Sequence, residues 1–499
     1  MPAQSDALAR NPLKLERLDL VRTQAFIGGQ WVDDPHGERF AVVNPADGSL
    51  IAEVCDGGET LARAAADAAA QAFPAWRAIT VKARAQRLRA WFDAVMAHQE
   101  DLARLIAWEM GKPLAEGRTE VAYGASYIEW FAEAIKHETG EVIPAPVAGR
   151  QMLALREPVG VVAVITPWNF PVAMIARKFG PALAAGCTVV AKPAEDTPLS
   201  ALALAVLAEE AGLPAGVLNL VPASRSRTPQ VSQAWLEDER VRKLSFTGST
   251  AVGKALAKAS ADTLKRVTLE LGGDAPFIIF DDADLDIAID ALVKAKFRNA
   301  GQACVAANRV LVQDGSYEAV VARLAEAVGK LTVGAAEQGE FDIGPLINDR
   351  AVEKVERLLA AAVDAGAKAV VGGARHEAGA NFFQPTVLRD VPDSLRANCE
   401  EIFGPVASLA RFADEGEAVA LANDTPFGLS AYVCTRDMDR VWRVAQRLES
   451  GMVAVNEGIL SSEFAPFGGV KASGYGREGS NHGLADYQAI KYVCWGGLG

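Results

Sequence analysis

The sequence predicts an α/β protein with two parallel-sheet domains and a small additional β element. The chain has 499 residues, which exceeds one ordinary hydrophobic core, so more than one domain is expected. Residues Val159–Thr166 form a near-continuous apolar run, VGVVAVIT, which is typical of a strand buried on both faces. From there strands alternate with helices, first to Leu271 and then from Pro276 to about Val453. This alternation predicts parallel sheets, whose ligands bind beyond the carboxyl ends of the strands.

Composition excludes several classes of protein. The formal net charge of −13 argues against a general nucleic-acid binder, because neutralising phosphates requires clustered Lys and Arg. The six cysteines are scattered without a CxxC pair, and none of the five histidines lies four residues from another. The sequence therefore predicts free thiols in a reducing compartment and no metal site. No apolar signal region and no 18-residue uncharged apolar span occurs, so we expect a cytoplasmic protein without a membrane partner.

The N-terminal part is predicted to contain short strands followed by long helices. Residues 25–31 and 40–43 are apolar stretches between turn residues, which favours strands. Alanine-rich periodicity predicts helices over 61–73 and 83–96, and a further apolar and aromatic helix over about 114–137. The segment EVIPAP, at 141–146, ends that helix and begins an extended segment.

The region from 159 to 271 is predicted to hold five strands joined by crossover helices. The predicted strands are 159–166, 187–192, 217–221, 243–247 and 266–271. The predicted helices are 171–186, 199–212, one ending near 235, and 250–260. Near the C-terminus, residues 489–495, AIKYVCW, indicate a strand whose exposed edge requires a partner.

Cys304 is the candidate nucleophile. It lies in FRNAGQACVAANR, residues 297–309, in a loop of small residues after a helical segment. The neighbouring residues 301–303 leave backbone N–H groups free, which favours a thiolate and a developing oxyanion. A thiolate attacks an aldehyde readily, and the resulting thiohemiacetal can pass hydride to a cofactor. The alternative is that Cys304 is a small apolar residue of the core.

Two polar residues upstream are candidate partners of Cys304. Glu270 interrupts an otherwise apolar strand, VTLEL, so it is either buried at a cost or faces a cleft, where it can act as a general base toward water. Asn169, in TPWNFP, follows the first buried strand and can donate its amide to an oxyanion. The alternatives are a solvated or paired glutamate and an asparagine that shapes a turn.

Six motifs occur along the chain in the order PWNFP, KPAE, FTGST, ELGG, GQAC and EEIFGP. In this order they resemble the aldehyde dehydrogenase superfamily, and the resemblance covers nearly the whole chain. Within that superfamily, FRNAGQACVAANR and APFGGVKASGYGREGS, at 465–480, are most similar to succinate-semialdehyde dehydrogenases. Two positions depart from the usual pattern: Asp274 replaces a common Asn or Lys, and Ala223-Ser224 replaces a glycine-containing turn.

The resemblance implies a role for each site residue. Cys304 is the nucleophile, Glu270 is the base, Asn169 and the Cys304 backbone N–H form the oxyanion hole, and Lys178 lies close to them. The residues that the resemblance assigns to the cofactor are Thr166, Pro167, Trp168, Lys192, Glu195, Gly248, Ser249, Glu401 and Phe403. The resemblance implies that the carboxylate at the far end of the substrate is bound by Arg177 and Arg298, with help from Ser462 or its neighbour Ser461. Spacing alone equally allows a solvated Arg177 and an Arg298 that caps a helix end.

The cofactor is expected to be NAD, with NADP as the alternative. Glu195 can accept both hydrogen bonds of a ribose diol, whereas it repels a 2′-phosphate. Lys192, Arg225 and Arg227 are the cations expected to soften that repulsion. The run 474–479 matches GxGxxG, but we reject it as a dinucleotide site because it follows loop residues rather than a buried strand. The junction FTGSTAVG, at 246–253, is the expected phosphate site.

The predicted function is oxidation of an ω-carboxylate aldehyde, succinate semialdehyde to succinate, through a cysteine thiohemiacetal and thioester. The alternatives are a glutarate-semialdehyde or broad-specificity enzyme, a CoA-acylating enzyme, which Glu270 disfavours, and a catalytically silent binding protein on this scaffold. The predicted domains are an NAD-binding domain (1–140 and 159–269) and a catalytic domain (270–484). Residues 141–158 with 485–499 are expected to form an oligomerisation element, giving homodimers or homotetramers.

Overall fold

The computed structural model describes residue 11, residues 14–392 and residues 400–497. Residues 1–10, 12–13, 393–399 and 498–499 lie outside the described part. They include Cys399 and the two ends of the predicted domains. Most of the described chain forms two large sheets with helices against them, which confirms the predicted α/β class.

The first sheet has eight strands in the order β19-β11-β10-β7-β8-β9-β1-β2. Its strands are β1 Ala25–Ile27, β2 Gln30–Val32, β7 Val161–Ile165, β8 Thr188–Lys192, β9 Leu218–Leu220, β10 Val241–Thr247, β11 Arg266–Glu270 and β19 Gly474–Tyr475. The five central strands are parallel, while β1, β2 and β19 are antiparallel additions at the two edges. A separate antiparallel pair joins β3 Arg39–Val43 and β4 Leu50–Cys55.

Helices cover both faces of the first sheet. They are α1 Glu59–Ala78, α2 Val81–Ala97, α3 Gln99–Met110, α4 Leu114–Ala134, α5 Ala173–Ala185, α6 Pro198–Glu210, α7 Thr228–Glu237 and α8 Thr250–Ser260. Alternate residues of β7 explain this arrangement: Val161 and Ala163 pack in a core with α1, α7 and α8, whereas Val162 and Val164 pack in a second core with α2–α6. Burial on both faces is why this strand has no polar residue.

The second sheet has seven strands in the order β14-β15-β16-β13-β12-β17-β18, parallel except for β14. Its strands are β12 Ala275–Ile279, β13 Ala307–Gln313, β14 Lys368–Val371, β15 Thr386–Arg389, β16 Val406–Phe412, β17 Ser430–Cys434 and β18 Met452–Val455. Its helices are α9 Leu285–Phe297, α10 Tyr317–Val328, α11 Asp349–Asp364, α12 Glu415–Asn423 and α13 Met438–Arg447. A short helix, α14 Ser480–Ala485, follows β19. Segment 270–484 thus builds this sheet, but its β19 crosses to the edge of the first sheet.

A third, small sheet joins the two segments that were expected to form a separate β element. Strand β20 Gln488–Gly496 pairs over its whole length with β6 Arg150–Pro158, which also pairs with β5 Glu141–Ile143. The outer edge of β20 has no strand partner among the described residues, and Ile490, Tyr492 and Trp495 are 66%, 56% and 61% exposed.

Within the described ranges, none of the helices combines the length and hydrophobicity that crossing a bilayer requires. The same ranges contain no group of three His, Cys, Asp or Glu side chains arranged to hold a metal ion.

Candidate active site

The loop that carries Cys304 has an unusual backbone. Helix α9 ends at Phe297, and Asn299, Ala300 and Gly301 then take three successive left-handed conformations, with φ of 54°, 53° and 74°. Only glycine fits the third position, since a Cβ there would lie 2.2 Å from the Gly404 carbonyl oxygen. This reversal ends the helix and delivers Cys304 to a turn just before β13.

Cys304 lines a cavity of about 540 Å³. The cavity wall includes the guanidinium groups of Arg177 and Arg298 and the aromatic rings of Phe170 and Phe467. The other charged residues of the wall are Lys294, Glu116, Glu120 and Asp342. A pocket with a nucleophile, aromatic walls and two guanidinium groups can bind a small substrate that carries a negative charge.

The surroundings of the Cys304 thiol disfavour its ionised form. Burial raises its pKa to about 12, and the carboxyl groups of Glu401 and Glu270 act in the same direction. The guanidinium groups of Arg177 and Arg298 oppose this by favouring the thiolate. A reaction at Cys304 therefore requires removal of the thiol proton.

Glu270 ends β11 beside the Cys304 loop. Three residues later, Gly273 packs so tightly that a Cβ would lie 2.4 Å from the Cys304 carbonyl oxygen, which explains the second glycine of ELGG. The Glu270 side chain is 3% exposed, and neither of its carboxylate oxygens has a hydrogen-bond partner in the described part of the chain. Burial raises its pKa well above the usual range, and Glu478 adds to this. A raised pKa makes Glu270 a stronger base toward a water molecule.

Asn169 is tied to the loop that carries Cys304. Its Nδ2 donates to the Gln302 carbonyl at 3.0 Å, and its own carbonyl accepts from Lys112 Nζ and Asn299 Nδ2, both at 3.0 Å. An amide nitrogen has two hydrogens, so one remains for a substrate oxygen.

Glu478 is a buried residue that the sequence did not reveal. Its carboxylate lies 2.8 Å from Arg177 Nη2 and pairs with Lys178 Nζ, which also donates to Thr247 Oγ1 at 2.7 Å. Burial works to raise the pKa of Glu478, but Lys178 and Arg177 hold it below the usual range. The only available signal was a lone acidic residue inside GYGREG, the run rejected as a dinucleotide motif.

The three residues expected at the substrate's far carboxylate differ in their surroundings. Arg177 is committed on one side to Glu478 and stacks 3.9 Å above the Phe467 ring centroid. Arg298 is half-buried, and no carboxylate lies within ion-pair distance of it among the described residues. Ser461 lines the cavity, whereas the Ser462 hydroxyl accepts the Phe464 N–H at 3.3 Å. Of the two candidate serines, Ser461 therefore lines the cavity.

The strand–helix junction 246–253 fits a phosphate group. Gly248 follows β10, and a Cβ there would lie 2.5 Å from the Phe246 ring. Ser249 then caps α8 without a side-chain hydrogen bond, so the first N–H groups of the helix stay available for an anion.

Glu195 lies at a second cavity, of about 240 Å³, together with Ser224 and Arg225. Lys192 Nζ donates to Glu195 Oε2 at 3.0 Å. Although burial opposes it, Lys192 and Arg225 hold the pKa of Glu195 below its usual range, so the group is ionised. The Ser224 N–H donates to Asp56 Oδ1 at 2.7 Å, which fixes this turn without the usual glycine.

A second group of predicted cofactor residues makes contacts between segments that are distant in sequence. Phe403 has a φ of 54° and meets the Trp168 ring edge-on at 5.6 Å, next to Pro167. Glu401 accepts from the Gly273 N–H at 3.4 Å, and burial raises its pKa to about 7. The Thr166 N–H donates to the Lys192 carbonyl at 3.3 Å.

Asp274, the departure from the usual pattern in LGGDAP, is buried and contacts β13, the strand that follows the Cys304 loop. Its carboxylate lies 2.9 Å from Arg309 Nε and accepts from Asn308 Nδ2 at 2.6 Å. The acidic residue therefore matches an arginine and an asparagine of β13.

Comparisons with known proteins show which family this chain resembles. Residues 31–493 match the aldehyde dehydrogenase family. The chain is 54% identical to succinate-semialdehyde dehydrogenase [NADP(+)] GabD of Escherichia coli and 51% identical to glutarate-semialdehyde dehydrogenase of Pseudomonas aeruginosa; each alignment covers 97% of this chain and 100% of the relative. A crystal structure of succinate-semialdehyde dehydrogenase from Burkholderia pseudomallei superposes with a TM-score of 0.95 at 52% identity, covering 97% of this chain and 100% of that one.

Proposed function

Because the chain belongs to the aldehyde dehydrogenase family, we propose that it oxidises succinate semialdehyde to succinate with a nicotinamide dinucleotide. The observation that carries the substrate assignment is the pair Arg177 and Arg298 on the wall of the cavity that holds Cys304. A planar guanidinium binds a carboxylate through two directional, charge-assisted hydrogen bonds. An aldehyde with a carboxylate at its far end thus fits better than a neutral one.

The reaction starts at Cys304. The thiol gives up its proton to solvent water, and the resulting thiolate adds to the aldehyde carbon. The oxyanion that forms accepts hydrogen bonds from Asn169 Nδ2 and the Cys304 backbone N–H. When bound, the oxidised nicotinamide supplies the hydride acceptor. Loss of hydride from the thiohemiacetal leaves a thioester on Cys304. Glu270 then takes a proton from water, which attacks the thioester and releases the acid and the thiol.

NAD is the cofactor that Glu195 favours. Two like charges about 4 Å apart cost roughly 4 kcal/mol at an effective dielectric near 20, and a 2′-phosphate beside Glu195 meets that repulsion. Lys192, which pairs with Glu195, and Arg225, which lines the same cavity, reduce it. NADP is therefore the weaker alternative rather than an excluded one.

Glutarate semialdehyde is the second candidate substrate. It has one more methylene than succinate semialdehyde, a difference worth about 1–3 kcal/mol in a fitted pocket. The cavity of about 540 Å³ has room for either acid, and relatives named for both activities are about equally similar to this chain.

The sheet of β5, β6 and β20 is the proposed contact between subunits. The unpaired outer edge of β20 and the exposed Tyr492 and Trp495 side chains favour a second copy of the chain as their cover. The subunits would then form a homodimer or homotetramer. We further propose a cytoplasmic protein in which residues 1–140 and 159–269 bind the dinucleotide and residues 270–484 carry Cys304.

Replacing Arg298 with alanine tests the substrate assignment. Hydrogen bonds to a charged group contribute about 1.5–3 kcal/mol, so KM for succinate semialdehyde should rise roughly 10- to 100-fold. The kcat/KM for butanal, which has no carboxylate, should stay within about twofold because it makes no such bond. Initial rates over a substrate series measure both.

The matched control is Arg323→Ala on α10, which removes an exposed arginine paired with Asp286. It should leave KM for succinate semialdehyde and kcat/KM for butanal unchanged. Equal losses on the semialdehyde and on butanal in Arg298→Ala would defeat the carboxylate pocket and leave Arg298 a structural residue.

A further inference from the structure

Lys112, just before α4, and Glu120, in the second turn of that helix, are buried charged residues that have no role in the reaction described so far. Lys112 is 1% exposed and Glu120 is 2% exposed. Burying an ion pair costs desolvation energy that well-packed apolar residues avoid, so stability alone is weak grounds for such a pair. The contacts of this pair with the active-site loops suggest another reason for burying it.

Lys112 reaches the candidate oxyanion donor. Its Nζ donates to Glu120 Oε2 at 2.5 Å and to the Asn169 carbonyl at 3.0 Å, and it lies 4.0 Å from the centroid of the Phe170 ring. The lysine thus holds the backbone carbonyl of Asn169 and packs against the side chain of the next residue, Phe170.

Glu120 holds the other end of the same loop. Its Oε1 accepts the N–H groups of Val172 and Ala173, at 2.9 and 3.2 Å, where α5 begins. Helix α5 carries Arg177 and Lys178, so this carboxylate also sets the position of the cations at the cavity.

One turn earlier, Glu116 holds the opposite side of the reaction centre. Both of its carboxylate oxygens accept the Asn299 N–H, at 3.0 and 2.9 Å, at the first left-handed residue of the Cys304 loop. The Asn299 side chain in turn donates to the Asn169 carbonyl. Helix α4 therefore touches both the loop with the oxyanion donor and the loop with the nucleophile.

We propose that Lys112 and Glu120 are positioning residues for the oxidation, acting through Asn169 by fixing its amide at the distance from Cys304 that the oxyanion requires. The inference rests on the oxyanion role assigned to Asn169 under the proposed function. An error of about 1 Å in such a donor can lower a rate roughly 100-fold. A purely structural pair would instead affect every property of the enzyme alike.

The test is a double-mutant cycle. The variant that combines Lys112→Met with Glu120→Gln removes both charges and keeps the side-chain volumes. The glutamine side chain still has an oxygen that can accept the Val172 and Ala173 N–H groups. In the otherwise wild-type chain we expect the rate of the first NADH turnover at saturating succinate semialdehyde to fall roughly 10- to 100-fold. In the Asn169→Ala background the same change should lower it less than about twofold, because the donor it positions is gone.

Alkylation of Cys304 by iodoacetamide separates positioning from general damage. This displacement forms no oxyanion, so its rate should be the same in the variant and the wild type. Lys136→Met, which removes the exposed partner of Glu133 just after α4, is the matched control and should change neither rate. Should the double variant fail to fold, Glu120→Gln alone keeps a neutral partner for Lys112 and should show a smaller loss with the same non-additivity.

The outcomes distinguish the inference from the function beneath it. Losses that add in the Asn169→Ala background, or a full first-turnover rate in the double variant, would contradict the inference alone. A full rate in Asn169→Ala itself would remove the oxyanion role and with it the basis of the inference, while leaving Cys304 and Glu270 untouched.

Discussion

Replacing Cys304 with alanine is expected to lower NADH formation from succinate semialdehyde by roughly 10⁴-fold or more. Without the sulfur no covalent intermediate forms, and no other described cysteine lines the cavity. The side chain is only partly buried and the cavity beside it is already open, so the melting temperature should change little. Steady-state rates and a thermal melt together measure the two effects.

Cys494→Ala is the matched control, since Cys494 is exposed on β20 and does not line the cavity. It should keep the wild-type rate. A Cys304→Ala variant with more than a few per cent of the wild-type rate would mean that another group performs the attack.

Replacing Glu270 with glutamine is expected to separate the two halves of the reaction. The first turnover should still give about one NADH per active site, because Glu270 is assigned to the hydrolysis that follows. The steady-state rate should then fall by roughly 10²–10⁴, the usual contribution of a general base. Stopped-flow absorbance resolves the burst from the slower phase.

The pH dependence supplies a second readout. Burial raises the pKa of Glu270 well above its usual range, so the wild-type steady-state rate should rise with pH as this carboxyl group ionises. The glutamine variant should lose that contribution. Exposed Glu239, changed to glutamine, serves as the control and should keep both phases. Disappearance of the burst itself would assign Glu270 to the first half-reaction instead.

Local patterns in the sequence predicted most of the fold. The strand at 159–166 was recognisable because burial on both faces left it without polar residues, and β7 occupies Val161–Ile165. A strand near the C-terminus was predicted over 489–495, AIKYVCW, and β20 covers Gln488–Gly496. Both depend only on neighbouring residues, which is why short windows of sequence suffice.

The missed residues depend on contacts between distant segments. Glu478 meets Lys178 across 300 positions of the chain, and Lys112 meets the Asn169 carbonyl across 57. No periodicity or spacing encodes such a pairing, because it follows from how segments that are distant in sequence pack against each other. For the same reason sequence alone did not show that Ser461, rather than Ser462, lines the cavity.

The most direct test of the proposed function is a single set of initial rates. Succinate semialdehyde, glutarate semialdehyde and butanal are each assayed with NAD and with NADP, and kcat/KM is compared. We predict that both acids exceed butanal by roughly tenfold or more, as a charge-assisted contact implies, and that NAD exceeds NADP. Butanal rates equal to those of the acids would remove the carboxylate pocket of Arg177 and Arg298, and a higher kcat/KM with NADP would contradict the role of Glu195.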